Sequence, residues 1–138
     1  MNNQKIKELI DELVQRYGDC PEQIAEGLGI EVVYLPLEDA TGAFQTHNGS
    51  KYIFVKQALR YSPERHFVIA HELYHAIVHS ESDLLYHKIK AFHGKYETQA
   101  NKFATWLLQH GAEINEGDTI YFLAKRSWIP SQMVECNI

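Results

Sequence analysis

The sequence predicts an α+β fold in which a small, mostly antiparallel sheet of three strands packs against helices. Apolar residues recur at helical spacing near the N-terminus and again after residue 62, whereas residues 30–56 are rich in β-branched and aromatic side chains. A chain of 138 residues that is 45% hydrophobic suits one compact core. We therefore expect residues 1–138 to form a single domain.

Two short helices are predicted at the N-terminus. The apolar positions of the first are Ile6, Leu9, Ile10, Leu13 and Val14. Their spacing is helical, and Gly18 is expected to end the helix. The second helix lies in "DCPEQIAEGLGI", with Pro21 in its first turn and Gly29 at its end, which is the usual placement of these two residue types.

Three strands are predicted next. The first is "IEVVYL", and the other two lie in "GAFQTHNGSKYIFVK" on either side of Asn48 and Gly49. Asn-Gly between two strand-like runs is the strongest short sequence signal for a β-hairpin. The second and third strands are therefore expected to pair antiparallel.

A long helix is predicted to begin at Ser62, Pro63 and Glu64, which supply a capping hydroxyl, a proline at the first helical position and an acid near the positive end of the helix dipole. It continues through "FVIAHELYHAIVH", residues 67–79, where apolar side chains cover nearly the whole circumference. Such a helix is buried. Burying an unpartnered polar group costs roughly 2–7 kcal/mol, so its histidines and glutamate need partners.

The motif "HELYH", residues 71–75, has the pattern H-E-x-x-H. His71 and His75 lie one helical turn apart, so both rings can reach one zinc ion at roughly 2.0–2.1 Å. Glu72 lies beside them and can act as a general base on a water activated by the metal, as in metal-assisted hydrolysis of a peptide bond. The alternative is that each histidine is a core residue bonded to a carbonyl group, which leaves Glu72 unexplained.

A catalytic zinc takes a third protein ligand, and Glu97 is the best candidate. It is predicted to open the helix "ETQANKFATWLLQHG" and to share a stripe with Ala100, Asn101 and Ala104 that faces the core. The alternative role for Glu97 is a first-turn acid that interacts with the helix dipole. The competing ligands are His66 and His79, which have unsuitable spacing, and Glu81, Asp83, His87 and His93 in a segment expected to be a surface loop.

Composition excludes several classes of function. With 18 acidic and 13 basic residues the formal charge is −5, which argues against direct binding of nucleic acid. The chain has no signal-peptide pattern and no apolar run long enough to span a membrane, so a cytoplasmic protein is expected. Cys20 and Cys136 are far apart and lack C-x-x-C spacing, so we expect free thiols rather than a disulfide or a thiolate zinc site.

The segments "RHFVIAHELYHAIVH" and "ETQANKFATWLL" resemble the ImmA/IrrE family of zinc metallopeptidases, and the resemblance covers roughly residues 5–110. The matching positions are Arg65, Phe67, Ala70, His71, Glu72, His75, Glu97, Ala100, Phe103, Ala104, Leu107 and Leu108. The resemblance implies that His71, His75 and Glu97 bind zinc and that Glu72 is the catalytic base. It also implies a specific protein substrate, typically a helix-turn-helix repressor of a phage or mobile element.

Two other classes of function fit the sequence less well. The chain could be a regulatory or interaction module whose zinc is structural, or a hydrolase that acts on a small amide. A purely structural His/Glu site has no use for a second carboxylate beside the ion, so Glu72 favours an enzyme. The sequence leaves the oligomeric state, the scissile bond and the role of residues 112–138 open.

Overall fold

A computed structural model describes residues 1–78 and 90–110 of the chain. In order, the elements are α1 (Asn3–Tyr17), α2 (Pro21–Gly27), β1 (Glu31–Leu35), β2 (Gly42–His47), β3 (Ser50–Lys56), a 3₁₀ turn (Gln57–Leu59), α3 (Glu64–Val78) and α4 (Lys90–His110). The α+β class and the three-stranded sheet packed against helices are confirmed. Within these residues, no helix is long and apolar enough to cross a membrane.

The two N-terminal helices form where the sequence predicts them. Asn2 caps α1, because its side-chain oxygen accepts a hydrogen bond from the backbone N–H of Lys5 at 2.9 Å. Gly18 follows the helix with φ of 90°, a conformation that glycine adopts without strain, and its N–H donates to the carbonyl of Val14. The buried face of α1 consists of Ile6, Ile10 and Leu13.

The sheet is mixed, with strand order β1-β3-β2. β2 and β3 form the predicted antiparallel hairpin, and its turn residues Asn48 and Gly49 both have positive φ, as a type I′ turn requires. β1 instead pairs parallel with β3, from Glu31 opposite Tyr52 to Leu35 opposite Lys56. After β1 the chain crosses to the opposite edge of the sheet and forms β2 there. It then returns through the hairpin and forms β3 between the two edge strands, so that β3 runs parallel to β1.

Helix α3 lies at the centre of the molecule and packs against α2, α4, β2 and β3. Its residues Ile69, Ala70 and Leu73 are fully buried. Ile53 and Val55 of β3 are also fully buried, and they belong to the same core. The Nζ of Lys51 donates to the carbonyl of Ala76 at 2.7 Å, which satisfies a carbonyl in the last turn of α3.

Gly42, the first residue of β2, makes an unusually close approach to α3. A methyl group at this position would overlap Cγ1 of Val68 and lie 3.4 Å from Cγ of Glu72. The φ angle of Gly42 is not positive, so the need for glycine is a matter of space rather than of backbone conformation. The edge strand therefore packs directly beside the glutamate of the H-E-x-x-H motif.

The prediction that a helix starts at Glu97 was wrong, because α4 begins at Lys90. The sequence predicts a polar surface loop over residues 90–96, but Lys, Ala, Phe and Tyr are all compatible with a helix, and one glycine costs only about 1 kcal/mol. Glu97 thus lies about two turns into α4. Because the dipole effect falls off within the first turn, a dipole role for Glu97 is excluded.

Several residues that the sequence analysis considered lie outside the described part of the chain. They are His79, Glu81, Asp83, His87 and Cys136, together with the side chain of His93. Cys20 lies within it and is a free cysteine, as expected.

Candidate metal centre

The residues of the H-E-x-x-H motif lie on the buried helix α3, as predicted. Only 3% of His75 and 9% of Glu72 is exposed, and the side chain of His71 is 14% exposed. The rings of His71 and His75 meet edge to face, with centroids 5.1 Å apart. Helical geometry therefore places both imidazoles on one face of α3, directed towards α4.

Glu97 of α4 meets both histidines at this face. Its Oε2 lies 2.9 Å from Nε2 of His71, and its Oε1 lies 3.1 Å from Nε2 of His75. One candidate ligand atom from each residue lies within 4.8 Å of the others. This spacing fits an ion held by two imidazole nitrogens and one carboxylate oxygen, a donor set that zinc accepts with one position left open.

The site shifts the pKa values of His71 and Glu97 in opposite directions. Burial by itself lowers the pKa of His71, but the hydrogen bond to Glu97 and the charges of Glu72 and Glu97 outweigh it and raise this pKa above 6.5. Burial raises the pKa of Glu97, yet the hydrogen bonds from His71 and His75 hold it well below its usual value. The carboxylate of Glu97 therefore stays ionised and available to a cation.

Glu72 lies beside this group without joining it. Its Oε1 is 4.0 Å from Nε2 of His71, too far for a hydrogen bond. Burial raises the pKa of Glu72, although the neighbouring histidines partly oppose the shift. A carboxylate with a raised pKa next to a metal-binding group is suited to accept a proton from a reacting water.

Asn101 is a site residue whose role the sequence analysis missed. Its Oδ1 lies 2.9 Å from Nδ1 of His71, on the side of the ring opposite Glu97. The available signal was its position four residues after Glu97, which puts both side chains on the same face of α4. His66, by contrast, is directed away from the site and contacts Glu22 at 2.9 Å.

The candidate centre opens into a cleft of about 530 Å³. Its lining includes His71, Glu72, Glu97 and Asn101, and the remaining lining residues are 38–42, Lys56, Phe67 and Val68. Glu38 and Asp39 in this lining are exposed, and we call them the rim of the cleft. The cleft leaves this group of side chains accessible from solvent.

The α+β fold, the His/His/Glu group and the adjacent glutamate in an open cleft are together typical of metallopeptidases. Comparison with known proteins is in agreement: residues 25–126 match the model of the Peptidase_M78 family, the IrrE N-terminal-like domain, and the chain belongs to this family. It is also 32% identical over 107 residues to "Uncharacterized immunity region protein 2" of Bacillus phage phi105, an alignment that covers 75% of this chain and 67% of that protein.

Metal binding is expected to weaken on acidification. The pKa of His71 is raised above 6.5 in the metal-free protein, so a cation competes with a proton for this ring over a wider pH range than at an ordinary histidine. Affinity should therefore be highest above the raised pKa and should fall as the pH drops through it. Competition titrations with a chromophoric chelator between pH 8 and pH 5 measure this dependence, and a constant affinity across that range would contradict the His71 assignment.

Proposed function

We propose that this protein is a zinc-dependent endopeptidase that cleaves a helix-turn-helix transcriptional repressor of a phage or mobile element. The observation that carries the proposal is Glu72, a nine-tenths buried carboxylate that lines the cleft beside the His/His/Glu group. We propose His71, His75 and Glu97 as the zinc ligands and Glu72 as the catalytic base.

The proposed chemistry divides the work between the ion and the side chains. A zinc ion held by His71, His75 and Glu97 would supply a Lewis acid for the scissile carbonyl and for a water molecule. Glu72 accepts a proton from the attacking water and then delivers a proton to the leaving amine. The buried helix α3 keeps Glu72 at a fixed distance from the two histidines.

Two observations support a basic protein as the substrate. The net charge of −5 is complementary to a DNA-binding partner, and the exposed carboxylates of Glu38 and Asp39 lie on the rim of the cleft. The phage relative is described as an immunity region protein, which supports a role in the control of a phage or mobile element. The charge of the chain also makes direct binding to DNA unfavourable.

The alternative is a zinc-binding regulatory module without protease activity. A structural site would need the three ligands but neither the buried Glu72 nor an opening to a cleft. The buried carboxylate costs stability when it serves no reaction, because it loses its hydration. The geometry therefore supports an enzyme better than a purely structural site.

The zinc-loaded protein is expected to cut the helix-turn-helix repressor encoded beside its gene at one or a few exposed bonds, with negligible digestion of casein. A substrate that docks as a folded protein supplies selectivity that the small cleft alone cannot provide. Mass spectrometry of the fragments measures the cleavage, and the E72Q variant is the control for contaminating proteases. Efficient casein digestion, or an intact repressor together with active cleavage of other proteins, would contradict the proposed substrate.

A further inference from the structure

We infer that Asn101 is a positioning residue that fixes the tautomer and orientation of the His71 ring, an inference that rests on the proposed metal site. The two side chains meet at 2.9 Å between Oδ1 of Asn101 and Nδ1 of His71. An amide oxygen only accepts hydrogen bonds, so this contact requires the proton of His71 to lie on Nδ1. With Nδ1 protonated, a metal ion would displace the proton that Nε2 shares with Glu97 and would meet the lone pair of Nε2.

Asn101 is held in place by the packing of α4. Its neighbours Ala100 and Ala104 are fully buried, which fixes the helix backbone at this point. The hydroxyl of Thr105 donates to the backbone carbonyl of Asn101 at 2.8 Å, a contact that does not involve the Asn101 side chain. Glu97 lies one turn earlier on the same helix. One rigid element therefore supplies both the proposed third ligand and the group that orients the first ligand.

The neutral amide also matters for the charge of the site. Glu72 and Glu97 already place two carboxylates around His71, at 4.0 and 2.9 Å from Nε2. An aspartate at position 101 would accept the same hydrogen bond but would add a third negative charge next to the ring. Asparagine orients His71 without that charge, so a bound metal ion would keep more of its electrophilic character.

The test compares N101L, which removes the acceptor, with N101D, which keeps it. Loss of a group that hydrogen-bonds to a metal ligand typically lowers metal affinity 10–100-fold. N101L should therefore bind zinc about 10–100-fold more weakly than the natural protein, whereas N101D should bind it at least as tightly. T105V is the matched control, since it changes a buried residue of α4 but leaves the Asn101 side chain in contact with His71. Chelator competition measures affinity, and the visible absorption of the cobalt-substituted protein reports on ligand geometry.

The expected result is a cobalt spectrum altered in N101L and retained in N101D and T105V. Equal affinity in N101L and the natural protein would overturn the inference, as would an equal loss in T105V or a failure of N101D to restore binding. If the natural protein itself bound no metal, the proposed function would fail first. The two failures are therefore distinguishable.

Discussion

Replacing Glu72 with glutamine should lower peptide hydrolysis by roughly 10²–10⁴-fold while the bound metal stays at its normal level. Glutamine keeps the size of the side chain but cannot accept a proton from water. Because Glu72 lies 4.0 Å from the nearest ligand nitrogen and outside the His/His/Glu group, its replacement leaves the three proposed ligands in place. Elemental analysis and repressor cleavage, measured on the same preparation, give the two readouts.

E64Q is the matched control for this variant, because Glu64 lies on the same helix but is exposed near its start. It should retain both activity and metal. If E72Q lost its metal together with its activity, Glu72 would be a ligand rather than a base. If E72Q kept full activity, the proposed mechanism would be wrong.

Replacing Glu97 with alanine has the largest expected effect on metal binding. Glu97 bridges the two histidines at 2.9 and 3.1 Å, so the variant leaves only two ligands and should bind zinc more than 100-fold more weakly, beyond the 10–100-fold typical of a lost outer partner. An ion that binds only the folded state stabilises it, so a chelator should lower the Tm of the natural protein and leave that of E97A unchanged. Chelator competition and thermal unfolding measure the two effects.

Variants of other histidines and acids provide the comparison for E97A. H87A, H93A and D83A remove the residues that competed with Glu97 in the sequence, and each should keep normal metal affinity. If E97A retained zinc and one of these three variants lost it, the residue replaced in that variant would be the third ligand instead of Glu97.

Much of the fold was predictable because its signals are local. Gly18, Pro21 and the Asn48-Gly49 turn each have a backbone preference that acts within a few residues, and the structure places all of them as predicted. The position of β1 was not predictable in this way. Its parallel pairing with β3 depends on the path of the chain around the sheet, and no residue within β1 specifies its neighbour.

In the candidate site, too, features set by local sequence signals were predictable and features set by the packing of distant segments were not. His71, Glu72 and His75 were found because their spacing lies within one helix, and the structure brings Glu97 to them from another. The start of α4 was missed because residues 90–96 mix lysine, histidine and glycine with apolar residues, a composition that also occurs in surface loops. The contact between Asn101 and His71 was missed because it depends on how two helices pack, and a spacing of four residues from Glu97 is compatible with many other partners.

The close approach of Gly42 to α3 makes positions 42 and 68 energetically dependent on each other. A methyl group at 42 and Cγ1 of Val68 compete for the same volume, so alanine at 42 requires a smaller residue at 68, together with a small shift relative to the carbonyl oxygen of Phe54 at 3.2 Å. The effects of G42A and V68A on stability should therefore be non-additive: the double variant should lose less stability than the sum of the losses in the two single variants. For protein design, the pair has to be chosen together, and relatives that carry a larger residue at 42 should carry a smaller one at 68.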